Sequence, residues 1–178
     1  MTSDAASLVS GQKLRLLSYN IQAGIETNRY RHYVTRGWRH VLPHRGRVVN
    51  LQAIAKILTE YDVIGLQEVD SGSLRTGFLD MTEFLARQSG HPYWYRQVNR
   101  DIGMLEQNSN GRISRIQPTQ VSNHQLPPGN GRGAMLMEFG VGRNALRICS
   151  MHLALSRRQR QRQLDFISEL TQDSAHLI

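Results

Sequence analysis

Apolar residues recur along this chain with two different periods, and the switches between them mark out its elements. In "KLRLLSYNI" (13–21) the period is two, which predicts a strand with Leu14, Leu16, Ser18 and Asn20 on one face. In "RVVNLQAIAKILTEY" (47–61), Val48, Leu51, Ile54, Ala55 and Leu58 fall at helical spacing and form one apolar stripe. "DVIGLQEV" (62–69) predicts the second strand. Asp80 followed by Glu83 reads as a helix start, and Met81, Phe84, Leu85 and Gln88 carry that helix to "SGHP", where Gly90 and Pro92 end it. "YWYRQV" (93–98) predicts a third strand, 99–110 a loop, and 112–116 and 119–125 shorter strands. "LPPGNGRG" is a turn, followed by "AMLMEFG" and "ALRICSMHL", two strands of a hairpin joined by "VGRN". "SRRQRQRQLDFISELTQ" (156–172) opens with Ser156 and Gln159 in capping-box spacing and places Leu164, Ile167 and Leu170 on one side of a helix. Helices among the early strands and hairpins later predict mixed α and β layers, with strand order left open.

The second strand contains a conflict. By period two, Glu68 shares the face of Ile64 and Leu66, and burying an unpaired carboxylate costs several kcal/mol. Two other strands finish the same way: Leu14, Leu16, Ser18, Asn20, and Leu146, Ile148, Ser150, His152. Each of these residues taken singly is more often structural than functional. Three strands that begin apolar and end in an amide, a carboxylate and an imidazole predict a polar site at one rim of a sheet core. Such a set suits metal-assisted phosphoester cleavage. Mg²⁺ takes oxygen ligands, often one or two carboxylates with water and substrate phosphate. Glu68 would be the carboxylate and Asn20 would orient an oxygen or the Glu. His152, of a residue type that titrates near neutrality, would donate a hydrogen bond or proton to the phosphate or leaving group.

Charge adds a second feature. The chain of 178 residues carries a net charge of +8, with 20 Arg against 2 Lys. No acid occurs between Glu26 and Glu60, and "ETNRYRHYVTRGWRHVLPHRGRVV" interleaves six Arg with Tyr30, Tyr33, Trp38 and three His. Arginines and aromatics in alternation suit phosphates and bases, or an anionic lipid surface, and equally a basic loop packed by its own rings. Arg31, Arg36 and Arg39 are the expected substrate contacts. His32, His40 and His44 lack a metal-ligand spacing, since Pro43 breaks a helix there. "GNGRG" (129–133) lacks the strand–turn–helix setting of a nucleotide loop and reads as a turn. The single Cys149 excludes a disulfide within the chain. Without a run long and apolar enough for a signal peptide or membrane span, the expected location is cytoplasmic.

With these residues in place, a family resemblance emerges. "LRLLSYNIQAG" followed by "DVIGLQEVD" resembles the first two motifs of the endonuclease/exonuclease/phosphatase (deoxyribonuclease I-like) superfamily. "NSNGRISR" (108–115) is similar to its third motif, with Arg112 where an apolar residue is usual, and "LRICSMHLALS" to the strand bearing the active-site His. The resemblance implies a four-layer α/β/β/α sandwich and hydrolysis of phosphate esters dependent on Mg²⁺ or Mn²⁺. It implies Glu68 as metal ligand with Asn20 beside it, His152 as the phosphate-contacting histidine, and Asn110 as the third-motif Asn in the substrate site. Nucleic acid, inositol phosphate and phospholipid head groups are all substrates within the superfamily, and no stable protein partner is expected.

The family's later Gly-Asp-x-Asn and Ser-Asp-His motifs, which supply further metal contacts and the pair that activates water, do not occur before Ile178. The expectation is therefore a fragment, inactive by itself, in preference to a shortened gene product without activity: a disordered 1–12, then an incomplete domain over 13–178 with a basic insertion at about 26–46 and the C-terminal strands missing. The alternative is a non-catalytic basic module binding nucleic acid or anionic membrane.

Overall fold

A computed structural model describes residues 11–21, 45–70, 80–101, 107–128 and 132–178. The chain is mixed α/β, with two four-stranded sheets in two compact units, Lys13–Arg115 and Ile116–Ile178. The expected residue 1–12 tail falls almost wholly outside the described residues, and so does nearly all of the basic insertion. Among the described residues no helix is long and apolar enough to cross a membrane.

The first unit comprises β1 (Leu16–Asn20), α1 (Arg45–Leu58), β2 (Val63–Asp70), α2 (Met81–Gln88), β3 (Tyr93–Asp101) and β4 (Gln107–Ser114). Its sheet runs β1-β2-β4-β3, with β1 parallel to β2 and the other pairs antiparallel. A parallel pair needs a crossover, and α1 lies within the one between β1 and β2. The stripe on α1 does what its spacing predicts: Leu51, Ile54, Ala55 and Leu58 are buried in one core with Ile64, Leu66, Val69, Met81, Leu85 and Ile113. Asp80 is the N-cap of α2, accepting from the Thr82 and Glu83 amides at 2.9 and 3.1 Å, and Arg96 meets its other oxygen at 2.6 Å. Gly111 is required by packing, because a Cβ there would lie 2.5 Å from Thr82 Oγ1. After α2, the buried His91 meets Tyr61 O through Nε2 (2.9 Å) and Ser89 Oγ through Nδ1 (2.8 Å), and burial lowers its pKa.

The loop expected at 99–110 is shorter in the structure, because β3 runs on to Asp101. Residues 107–110, expected in a loop, belong to β4, the strand between β2 and β3. "QNSN" has no apolar alternation to betray a strand, because its role in the sheet is carried by backbone pairing on both sides.

The second unit holds β5 (Gln120–Gln125), β6 (Gly133–Phe139), a 3₁₀ turn (Gly142–Asn144), β7 (Leu146–Met151), α3 (Arg157–Leu170) and β8 (His176–Leu177), in sheet order β5-β6-β7-β8. The expected hairpin is β6–β7, with Glu138 opposite Arg147 and an ion pair of 3.2 Å between them. Ser156 caps α3 through the Gln159 amide. The buried side of α3 is not the expected Leu164–Ile167–Leu170 row. Ile167 is buried with Leu126 and Ala134, whereas Leu164 and Leu170 are exposed. Gln163 takes the buried place, accepting from the Ala154 amide (2.9 Å) and donating to Pro127 O (3.0 Å). A glutamine that satisfies two backbone groups can be buried without penalty, which apolar periodicity does not reveal.

Candidate active site on the first sheet

The conflict at Glu68 is resolved by the backbone. Leu66 pairs with Gly111 and Val69 with Ser109, so Gln67 and Glu68 together stand opposite the single residue Asn110. This is a β-bulge, with one extra residue on β2. Its extra residue shifts the parity of the strand: Ile64, Leu66 and then Val69 enter the helix-side core, and Glu68 does not. The sequence expectation that Glu68 shares the face of Ile64 and Leu66 is thereby corrected, since strict alternation stops at Leu66. Glu68 has φ +55°, in the left-handed region, and is the one non-glycine residue with positive φ among the described residues. That conformation costs an L-residue with a Cβ roughly 1–2 kcal/mol, and such outliers concentrate at functional sites. Glu68 is half-buried, so its carboxylate has access to solvent without the penalty of full burial.

Strand register assembles the surroundings of the bulge. Asn20 pairs with Gln67, and the Ile21 amide donates to Gln67 O at 3.0 Å, tying the end of β1 to the bulge. Asn110 in turn pairs with Gln97 of β3. Adjacent strands stand about 4.8 Å apart, so Asn20, the bulge, Asn110 and Gln97 form one polar row across the sheet. The row lies on the side away from the helices, because Leu17, Leu66, Ile113 and Trp94, of opposite parity in these strands, pack into the helix-side core. One step along the same face, Gly65, Arg112 and Tyr95 are aligned by register. Arg112 is 2% exposed and Asn110 1%, whereas Asn20 is exposed. Burial, and secondarily the neighbouring Tyr93, raises the pKa of Tyr95, whose hydroxyl, like that of any tyrosine at neutral pH, is a hydrogen-bond donor.

Among the site residues expected from sequence, the structure thus brings Asn20, Glu68 and Asn110 together on neighbouring strands of one sheet. His152 belongs to the second unit, immediately after β7, half-buried and preceded on its face by the buried Ser150 and Ile148. Arg31, Arg36 and Arg39 lie outside the described residues. Gln67, Gln97, Arg112 and Tyr95 were missed. Their signal was present in the polar parity of Asn110, Arg112 and Ser114 and of Tyr93, Tyr95 and Gln97, but it needed residues 107–110 to be recognised as the start of the strand expected at 112–116.

The donors of the polar row are one carboxylate and several amide oxygens. Among the described residues, no three His, Cys, Asp or Glu side chains cluster as a metal site of their own. Hard oxygen donors with few carboxylates fit Mg²⁺ or Mn²⁺, which retain water and take substrate oxygens, and do not fit a zinc site built from thiolates and imidazoles.

The family model for the endonuclease/exonuclease/phosphatase family matches residues 17–178. An endonuclease/exonuclease/phosphatase family protein from Leptotrichia buccalis C-1013-b superposes with TM-score 0.65 at 14% identity, over 93% of this chain and 66% of that one. A family member from Bacteroides thetaiotaomicron gives TM-score 0.59 at 12% identity, over 90% and 58% of the two chains. A D. rerio TDP2 humanized by 14 mutations gives 0.54 at 17% identity, over 89% and 56%. At these identities the likeness is one of fold, and the chain spans between 56% and 66% of the length of these structures. No curated protein matches the chain.

Proposed function

This chain belongs to the endonuclease/exonuclease/phosphatase family, and we propose that its first sheet carries the cation-binding portion of a phosphoesterase site. The observation that carries the reading is the carboxylate of Glu68, set in a strained bulge between rows of amide groups. A backbone that accepts this strain at a carboxylate flanked by oxygen donors has a use for the carboxylate's position. Glu68 would hold a divalent cation, Mg²⁺ or Mn²⁺, with the exposed Asn20 supplying an amide oxygen or orienting the substrate. A bound cation of this kind offsets the negative charge that builds on phosphoryl oxygens during attack by water.

The protein's own residues divide the remaining work. Asn110, almost fully buried opposite the bulge, fixes the floor of the row beneath the substrate phosphate. The Tyr95 hydroxyl stays protonated and can donate a hydrogen bond. His152, in the second unit, is of a type that would donate a hydrogen bond or proton to a phosphate or leaving oxygen. Arg31, Arg36 and Arg39 would draw an anionic substrate to the rim, consistent with the excess of arginine in this chain.

The test is hydrolysis of bis-p-nitrophenyl phosphate and p-nitrophenyl phosphate by the protein as it occurs naturally, with the two substrates separating diesterase from monoesterase activity. Chelator should abolish turnover, and Glu68→Gln should lower it by more than the 10–100-fold typical of an outer metal partner. Turnover indifferent to both would refute the reading. A protein that bound nucleic acid equally well in both cases, losing affinity only with salt, would be a basic binding module instead.

A further inference from the structure

The most concentrated charge among the described residues lies in the second unit. Four of the seven arginines in residues 116–178 fall within six positions, Arg157, Arg158, Arg160 and Arg162 at the start of α3. All four are exposed. Arg160 is committed locally, reaching back to Leu155 O at 2.6 Å. Arg157, Arg158 and Arg162 make no ion pair among the described residues, and the one carboxylate nearby, Asp165, is engaged by Gln161 at 2.9 Å.

Two features of this cluster work against the helix that carries it. The first turn of a helix favours acids, because the aligned peptide dipoles present positive charge there, yet α3 has no acid in that turn. Arg158 and Arg162 are also four apart, which sets like charges side by side on the helix surface. A solvated charged face chosen for solubility alone would avoid both. The arrangement gains when a run of negative charge lies against it, since a polyanion relieves the repulsion and meets the dipole with the favourable sign.

We propose that Arg157, Arg158 and Arg162 form a docking ridge for the sugar–phosphate backbone of a nucleic-acid strand. Guanidinium groups match phosphate oxygens in bidentate geometry, and the cluster contains no lysine. Phosphates follow one another with a rise of roughly 3.4 Å along a strand, so a ridge about 7.5 Å long reaches two or three successive ones. A single free phosphate would gain little from exposed cations, whereas a polyanion releases its condensed counterions on binding. A bilayer fits less well. An interfacial helix needs a continuous free apolar face, and the centre of that of α3, Ile167 with Phe166, is packed against Leu126 and Ala134, leaving only Leu164 and Leu170 exposed at its flanks. One further arginine, Arg132, has its backbone next to the turn that α3 holds: Arg132 O accepts from the Leu126 amide at 3.0 Å, beside Pro127, whose carbonyl accepts from Gln163 of α3. The ridge is a binding surface whether or not the first sheet hydrolyses phosphate esters.

The experiment is fluorescence anisotropy of a labelled single-stranded oligonucleotide with the whole chain carrying Glu68→Gln, in chelator, so that loss of hydrolysis cannot be mistaken for loss of docking. In this background Arg157→Gln/Arg158→Gln/Arg162→Gln should weaken binding at least tenfold at low salt. It should also flatten the slope of log K against log[salt] by about 2, at about 0.7 per released single-strand contact. Arg158→Gln alone, a milder change, should flatten it by about 0.7 and serves if the triple variant does not fold. Unchanged affinity and slope in the substituted chain would overturn the proposal. So would anionic phosphatidylserine vesicles that lose binding with the triple variant while the oligonucleotide does not.

Discussion

The two faces of the first sheet share every backbone pairing and differ in almost everything else. On the helix side, Leu17, Ile64, Leu66, Val69 and Ile113 meet α1 and α2 in an apolar core. On the other side, the same strands present Asn20, Gln67, Asn110, Gln97, Arg112 and Tyr95. A sheet with one core face is ordinary, but its other face here is not simply solvated, since Asn110, Arg112 and Ser114 are buried on it beside Val63. Burying polar groups gives less stability than burying apolar ones and requires each to be paired. The first face holds the fold; on the proposed function the second is kept polar for chemistry, with the bulge as the point where one strand serves both.

Substitution on the apolar face should have the largest effect. Leu66→Ala, at a fully buried position, should cost about 2–5 kcal/mol in denaturant unfolding. Asn20→Ala, exposed on the polar face, should stay within about 0.5 kcal/mol. Equal losses would erase the distinction. Next in size is Gly111→Ala, whose new Cβ would meet Thr82 Oγ1 at 2.5 Å and Cγ2 at 2.9 Å. Overpacking of this kind costs about 1–3 kcal/mol. Thr82→Ala removes both atoms, and Oγ1 has no hydrogen-bond partner among the described residues, so the double variant should recover much of the loss. A double-mutant cycle without coupling would show that the approach of α2 to β4 is looser than it stands.

The smallest effect is the most informative about the bulge. Glycine adopts positive φ without the Cβ penalty, so Glu68→Gly should raise stability by about 1 kcal/mol while removing the carboxylate. A thermal shift upward would mean that the strain is retained for function. A shift downward would mean that Glu68 contributes to the fold through its side chain.

The elements with strong apolar periodicity were legible in the sequence: α1 from its stripe, α2 from Asp80 and Glu83, and the β6–β7 hairpin from two apolar runs across a glycine turn. The family, too, was legible from "SYN" and "LQEVD", and Asn20 and Glu68 were found as candidates because they end apolar strands. What escaped had a common cause, that burial is achieved by hydrogen bonding as well as by apolarity. The first half of β4 was hidden because "QNSN" pairs through its backbone on both edges, and Gln163 because its amide satisfies two main-chain groups. The bulge was hidden for a different reason. The exposed symptom, a carboxylate in an apolar alternation, was visible, but the remedy could have been a partner or a change of parity. Only the register of Leu66 and Val69 against Gly111 and Ser109 distinguishes the two.

The central claim, that the bulge turns the end of an apolar strand into a cation site, is tested most directly by titrating Mn²⁺ into the chain and counting bound ions by electron paramagnetic resonance. This readout is independent of turnover. The account predicts a Mn²⁺ site that Glu68→Gln weakens by at least about tenfold, with the fold intact by circular dichroism. Equal Mn²⁺ binding by the native and Glu68→Gln chains would contradict it.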